Sequence, residues 1–253
     1  MEVVRFGTLD LARVTRAEAV AWIRARAVER TACVVVTSNI HHLRLAEIDP
    51  AFRAVVAKAE LNVADGWPLV AGARALGRRL PERVAGVDLV DDLIQGNRLD
   101  LAVVGGAPGA ADRLARRVAG RHDVVLVDSL PRGSWETPEG TAALQARLAR
   151  AAPQLTLLGL GAPQQELLAD RLRNSVAGPI LCCGASIEFL AGLRTRAPRA
   201  LQAVGLEWAF RLALEPARLA PRYAVAAPAF ARVLATELRR GRLRRGREKD
   251  DRA

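Results

Sequence analysis

The sequence predicts an α/β protein: a mostly parallel sheet with helices on both faces, followed by a basic helical appendage at the C-terminus. Two observations carry the sheet. Six short apolar runs recur along the chain, and longer stretches with helical periodicity lie between them. A third observation carries the appendage: near residue 193 the strand signals stop and the charge balance changes together.

The elements follow in order. A helical pattern at residues 16–29 leads into the β-branched run 33–37. Helix 51–59 precedes strand 61–64, and helices 68–76 and 87–95 follow it. The alternation continues as strand 101–105, helix 110–119, strand 123–127, helix 139–151, strand 155–159, helix 163–174 and strand 180–183. Residues 197–214 and 217–240 read as helices, interrupted by Pro216, Pro221 and Pro228. The expected division is a core at 1–193 and an appendage at 194–253, with a truncation after Gly192 leaving the core folded.

Charge is unevenly placed. From Arg194 onward there are 15 basic and 6 acidic residues, a net of +9, against +2 for everything before it. Local positive charge of this kind suits an anionic partner: phosphates, a nucleic acid or a membrane surface. A solvated basic tail explains residues 239–252 equally well. The three cysteines, Cys33, Cys182 and Cys183, have neither disulfide nor metal-ligand spacing and read as reduced core thiols. Residues 1–7 lack the features of a signal peptide, and 175–193 is broken by Gly178-Pro179 and Gly184, so no span is expected.

The stretch Leu61-Asn62-Val63-Ala64-Asp65-Gly66-Trp67-Pro68 puts a carboxylate at the end of an apolar run, just before a glycine and a proline. That is where open α/β sheets keep their ligands, at the carboxyl end of a strand. It is also where an Asp caps a helix, and the segment alone does not separate the two. Thr37-Ser38-Asn39 ends another strand with three hydrogen-bonding side chains. Gly105 and Gly106 form a turn that could approach a phosphate, although a tight strand-to-helix turn accounts for them as well. Gly161 and Pro163 introduce a helix whose first turn carries Gln164, Gln165 and Glu166. Arg211, Arg218 and Arg222 are spaced by seven and four, which would align them on a continuous helix, but Glu215-Pro216 reads as the start of a new one; surface ion pairing is the competing reading. His41, His42 and His122 read as structural or solvent-facing, and no Asp-x-Asp exists to clamp a metal on a sugar nucleotide.

Taken in order, these motifs resemble the bacterial WecG/TagA/CpsF glycosyltransferase family (glycosyltransferase family 26). The matching residues are Thr37-Ser38-Asn39, Ala64-Asp65-Gly66-Trp67-Pro68, 81–88, Gly105-Gly106, and Gly159-Leu160-Gly161-Ala162-Pro163 with Gln165-Glu166. Ala191-Gly192, Arg196-Ala197-Pro198, Gly205-Leu206-Glu207-Trp208 with Arg211, and Glu215-Pro216 with Arg218, Arg222 and Tyr223 continue the match. Two places differ. The family has Pro-Lys-Gln-Glu where Pro163-Gln164-Gln165-Glu166 stands, and Phe-Asp-Phe where Ile187-Glu188-Phe189 stands, which leaves the donor sugar open.

The resemblance implies a Rossmann-like core that transfers a sugar from a UDP-sugar to an amino sugar on a polyprenyl diphosphate, at the inner face of the cell membrane. It implies inversion, no metal and no cofactor, in a pathway to cell-surface polysaccharide or teichoic acid. Asp65 matches the family's acidic residue and is expected to be the base. Thr37 and Asn39, with Gln164, Gln165 and Glu166, are expected to hold the sugars. Arg83, Arg211, Arg218 and Arg222 are expected to meet the leaving UDP, and Gly105, Gly106, Gly161, Trp135 and Glu188 the nucleotide. Phe230, Val233, Leu234 and Leu238 form an apolar helix face expected to dock on lipid beside Arg232, Arg239, Arg240, Arg242, Arg244, Arg245 and Arg247. Two other classes compete: a nucleotide-dependent oxidoreductase, which lacks its dinucleotide fingerprint here, and a basic nucleic-acid-binding protein. Nucleic acid is not the expected partner.

Overall fold

A computed structural model describes residues 1–131 and 133–250, with side chains through Gly241. The strands are β1 (Val3–Phe6), β2 (Leu9–Ala12), β3 (Cys33–Ser38), β4 (Leu61–Ala64), β5 (Asp100–Gly105), β6 (Asp123–Asp128), β7 (Leu155–Gly159) and β8 (Pro179–Cys182). The helices of the core are α1 (Arg16–Val28), α2 (Ile40–Ile48), α3 (Pro50–Ala57), α4 (Trp67–Ala75), α5 (Gly86–Gln95), α6 (Ala110–Val118), α7 (Pro138–Ala151), α8 (Gln164–Leu172) and α9 (Ser186–Leu190). Past residue 193 come α10 (Arg199–Ala203), α11 (Glu207–Leu214) and α12 (Pro216–Asp250).

Strands β3 to β8 form one parallel sheet in the order β4-β3-β8-β7-β5-β6. Successive side chains of a strand point to opposite faces, and the two faces bury different residues. Val35, Leu101, Val103, Leu157 and Leu181 pack under α1, α5, α6 and α9. Val34, Val36, Ala102, Val104, Leu158 and Ile180 pack under α7 and α8. The near-continuous apolar runs of the sequence are therefore strands covered on both sides. After β4 the chain crosses β3, β8 and β7 to reach β5, and this reversal opens a crevice at the carboxyl ends of the central strands.

Local chemistry sets the helix starts. Thr15 and Glu18 make a capping box on α1, and Asp49 followed by Pro50 caps α3. Asn39 caps α2, its side chain accepting the His41 amide at 3.0 Å.

Several sequence expectations change here. The antiparallel hairpin β1–β2 falls outside the predicted elements, and it builds a separate apolar cluster with α2, α3 and α4. The apolar face of Phe230, Val233, Leu234 and Leu238 is mostly consumed by that cluster. Val233 is buried in it, Phe230 and Leu234 pack on it, and only Leu238 stays exposed. Gly7 and Gly72 make room: a Cβ at either would come within 2.8 Å of Val233 or Phe6. The helix face expected to meet lipid is thus core, and residue 193 is not a packing boundary. Pro221 and Pro228 sit inside α12 without breaking it. Arg242, Arg244, Arg245 and Arg247 lie outside the residues whose side chains are described.

Candidate active site

The crevice is a pocket of ≈ 480 Å³ at the ends of β3, β4, β7 and β8, closed on one side by α11 and α12. Its size suits a nucleotide or sugar ligand. Thr37 lies at the end of β3 and Asn39 just after it; Asp65 follows β4 and Trp67 opens α4; Gly161 follows β7 and Gln165 sits in the first turn of α8; Ser186 opens α9 after β8. Glu207, Trp208 and Arg211 arrive on α11; Arg218, Arg222 and Tyr223 arrive on α12.

Asp65 sits one residue past β4 and does not cap α4; Gly66 occupies that place without a side-chain bond. Among the described residues its carboxylate takes one hydrogen bond, from the Gly86 amide at the start of α5, at 3.2 Å. Burial raises its pKa above the usual carboxylate value, while the Gly86 amide, Arg83 and Arg211 pull it back and Glu207 pushes it further up. A carboxylate made more basic and facing a pocket has the properties of a general base. Thr37 donates its hydroxyl to the Cys182 carbonyl at 3.0 Å, which leaves its oxygen as an acceptor beside Asp65 and Ser186.

The arginines divide into paired and unpaired. Arg83 is nearly buried and donates to Glu207 at 2.8 Å; Arg218 donates to Glu215 at 2.6 Å. Arg211 and Arg222 have no carboxylate partner among the described residues. Arg211 lies 5.2 Å over the Phe189 ring with its Nε buried and unbonded. Arg222 has only a long 3.4 Å bond to Asn39 Oδ1. Burial and the repulsion of Arg211 and Arg218 lower the Arg222 pKa, so its charge is held at a cost. Cations held this way call for an anion between them.

A family model for glycosyl transferases of the WecG/TagA/CpsF family matches residues 4–244. The chain belongs to the WecG/TagA/CpsF glycosyltransferase family. It is accordingly a transferase acting on a sugar donor and an acceptor, on a Rossmann-like α/β fold.

Within this glycosyltransferase, several expected contacts lie elsewhere. Gln164 points to solvent and Glu166 is fully buried; neither lines the pocket. Gln165 does line it, but its carbonyl oxygen accepts the Gly161 and Gly184 amides at 3.2 and 2.9 Å, and its amide donates to Glu166 at 2.7 Å. It ties two strand-end turns together. Gly105 and Gly106 end β5, beyond the pocket lining; a Cβ on Gly105 would lie 2.9 Å from the Gly159 carbonyl, so close packing of β5 on β7 explains that glycine. Trp135 packs against the α7–α8 layer, away from the pocket. Glu188 is buried on α9 with one carboxylate oxygen unbonded, also outside the lining.

Two of the histidines are structural, as expected, and His41 is not. His122 is buried, its Nδ1 accepting the Leu99 amide at 3.1 Å and its Nε2 facing the Ile94 carbonyl at 2.9 Å. His42 is buried, accepts the Asn39 amide on Nδ1 at 3.4 Å and faces Glu166 through Nε2 at 3.1 Å. That pairing makes Nε2 the donor. His41 lines the pocket; burial, Arg222, His42 and Arg44 push its pKa to about 3, so it is neutral, and its buried Nδ1 has no partner. Local sequence shows only part of this, because Glu166 beside His42 and Arg222 beside His41 each stand over a hundred positions away. Among the described residues no group of three or more His, Cys, Asp or Glu side chains is placed to hold a metal, and no helix is long and apolar enough to cross a membrane. All three cysteines are buried as free thiols, and burial pushes the Cys33 thiol to about 12.

Proposed function

We propose that this glycosyltransferase moves an N-acetylmannosamine-type or related hexose from a UDP-sugar to an amino sugar on a polyprenyl diphosphate, with inversion and without a metal. The observation that carries this reading is the pairing of one basic-shifted carboxylate, Asp65, with two uncompensated arginines, Arg211 and Arg222, across a single pocket.

The chemistry follows from charge. Asp65 takes the proton of the acceptor hydroxyl as that oxygen bonds to the anomeric carbon from the face opposite UDP. The bond from the anomeric carbon to the β-phosphate oxygen breaks, and UDP departs with the electron pair. Negative charge growing on the diphosphate meets Arg211 and Arg222, whose fields are strong because the site is partly desolvated. Thr37 and Asn39 line the floor where the sugars would lie.

The lipid of such an acceptor keeps its diphosphate at a bilayer surface, so the enzyme must come to it. The face that supports this is the pocket rim rather than α12. Val204, Leu206, Trp208 and Leu214 are 68%, 44%, 49% and 55% exposed, and Gly205 and Trp208 line the pocket mouth. Apolar side chains in water beside exposed Arg199 fit a membrane interface at the inner face of the cell.

A screen of UDP-sugars against a synthetic lipid-diphosphate-linked GlcNAc tests the reading. Transfer from at least one UDP-sugar, undiminished by EDTA, is the expected result. Loss of activity in EDTA and its return with magnesium would count against the arginines as the charge acceptors.

A further inference from the structure

The appendage brings a carboxylate into the pocket as well as arginines. Glu207 is the first residue of α11, is only 8% exposed, and lines the same pocket as Asp65. A carboxylate there repels both Asp65 and a diphosphate, so its presence needs a reason beyond packing.

Its contacts supply one. Arg83 Nη1 donates to Glu207 at 2.8 Å, and Arg83 Nη2 lies 3.9 Å from Asp88. Arg196 holds Asp88 with both terminal nitrogens, at 2.6 and 2.8 Å, and its Nε returns to 3.9 Å from Glu207. Glu207, Arg83, Asp88 and Arg196 therefore close a ring of alternating charge. Its members come from α11, the loop before α5, α5 itself, and the segment leading to α10. Arg16 touches the ring from outside, 3.9 Å from Asp88. Without Glu207 the Arg83 guanidinium would keep only a long contact to Asp88.

We infer that Glu207 is a positioning residue of the active site: it closes the ring that fixes the Arg83 guanidinium, and so fixes the field in which Asp65 works. The inference rests on Asp65 being the base. The charged groups facing Asp65 are Arg83 from the loop before α5, Arg196 from the segment before α10, and Arg211 and Glu207 from α11, with the Gly86 amide in direct contact. Glu207 is the negative member of that set, and Asp88 stands behind Arg83. Deleting the Glu207 charge leaves the surrounding cations less compensated, so Asp65 must bind its proton more weakly.

The test is a ¹³C-carboxylate NMR titration of Asp65 in the full chain, beside the pH profile of kcat/KM. Glu207→Gln should move both midpoints to lower pH by about half a unit or more. Glu207→Asp keeps the charge and should move them less. Arg196→Gln opens the same ring by removing a cation and should move the titration upward; this variant decides the matter if Glu207→Gln does not fold. An Asp65 titration unchanged in folded Glu207→Gln, or in Arg196→Gln, overturns the inference. Near-normal turnover by Asp65→Asn would instead overturn the base assignment, while the NMR midpoints still report on Glu207.

Discussion

The ring of Phe230, on the last helix, stacks on Phe6 of the N-terminal hairpin, with centroids 5.6 Å apart and planes 19° from parallel. The two ends of the chain are thereby joined in one apolar cluster, which also contains Val233, Leu43 and Leu69. The helix that carries Arg218 and Arg222 into the pocket is anchored by this joint.

Energetic coupling between the two rings follows from the stacking. In a double-mutant cycle of Phe6→Ala and Phe230→Ala, urea unfolding should reveal an interaction of about 1 kcal/mol beyond the separate losses. Additive losses would mean that the two rings stabilise the fold independently of each other. Truncation after Gly192 should leave Phe6 and Leu43 facing water and yield a destabilised chain that binds a hydrophobic dye, in place of the intact core that the charge boundary suggests.

Asp65→Asn keeps the shape and the Gly86 contact but removes the basicity. Turnover should fall by ~10²–10⁴-fold. Because burial raises the Asp65 pKa in the folded state, its ionised form opposes folding. Its stabilising effect is present below the unfolded carboxylate value and is lost as pH rises through the folded one. Asp65→Asn should therefore melt higher than wild type at neutral pH, with the difference shrinking as pH falls toward 4. Equal activity of the variant would contradict the base assignment, and lower stability at pH 7.5 would contradict the argument from burial. The acid limb of wild-type kcat/KM should likewise lie above the ordinary carboxylate range.

Much of this was legible in the sequence, and the reasons differ by element. Strands such as Leu61–Ala64 and Leu155–Gly159 are continuous apolar runs bounded by turns, so their ends are locally written. The hairpin was not, although Val4, Phe6, Leu9 and Leu11 alternate with exposed or half-exposed neighbours around Gly7; two four-residue strands give too short a period to stand out. In the site, Asp65, Thr37, Asn39, Arg83, Gly161, Gln165 and the three appendage arginines do reach one pocket. Glu207 stood in a matched motif without a role, because its partner Arg83 lies 124 positions away; the burial of His41 beside Arg222 is likewise made by a distant helix. Glu166 read as a helix-start carboxylate open to ligand; its position on α8 turns it inward onto His42.

Arg222 should matter to the anion more than to the fold. Its burial and its repulsion by Arg211 and Arg218 make it a cost in the empty site, so Arg222→Met should melt no lower than wild type. UDP should bind it more weakly by about 2 kcal/mol, roughly thirty-fold in Kd. Arg222→Lys keeps the charge but loses the forked donor set, and should recover only part of that affinity. Calorimetry with UDP measures both. Unchanged affinity in Arg222→Met would assign the diphosphate to another part of the pocket.

The membrane contact can be located by setting the two candidate faces against each other. The side chains of Val204 and Leu214 are exposed and do not line the pocket, so Val204→Glu and Leu214→Glu should leave melting unchanged. Each should weaken binding to anionic vesicles by about ten-fold, since an apolar anchor is lost and a charge repelled by the lipid is gained. Turnover on a short-chain, water-soluble acceptor should persist in both. Leu234→Ala, on the α12 face, should do the reverse: it loosens packing against the hairpin cluster and lowers the melting temperature while vesicle binding by the folded protein stays intact. Vesicle binding that follows Leu234 and ignores Val204 and Leu214 would return the docking surface to α12.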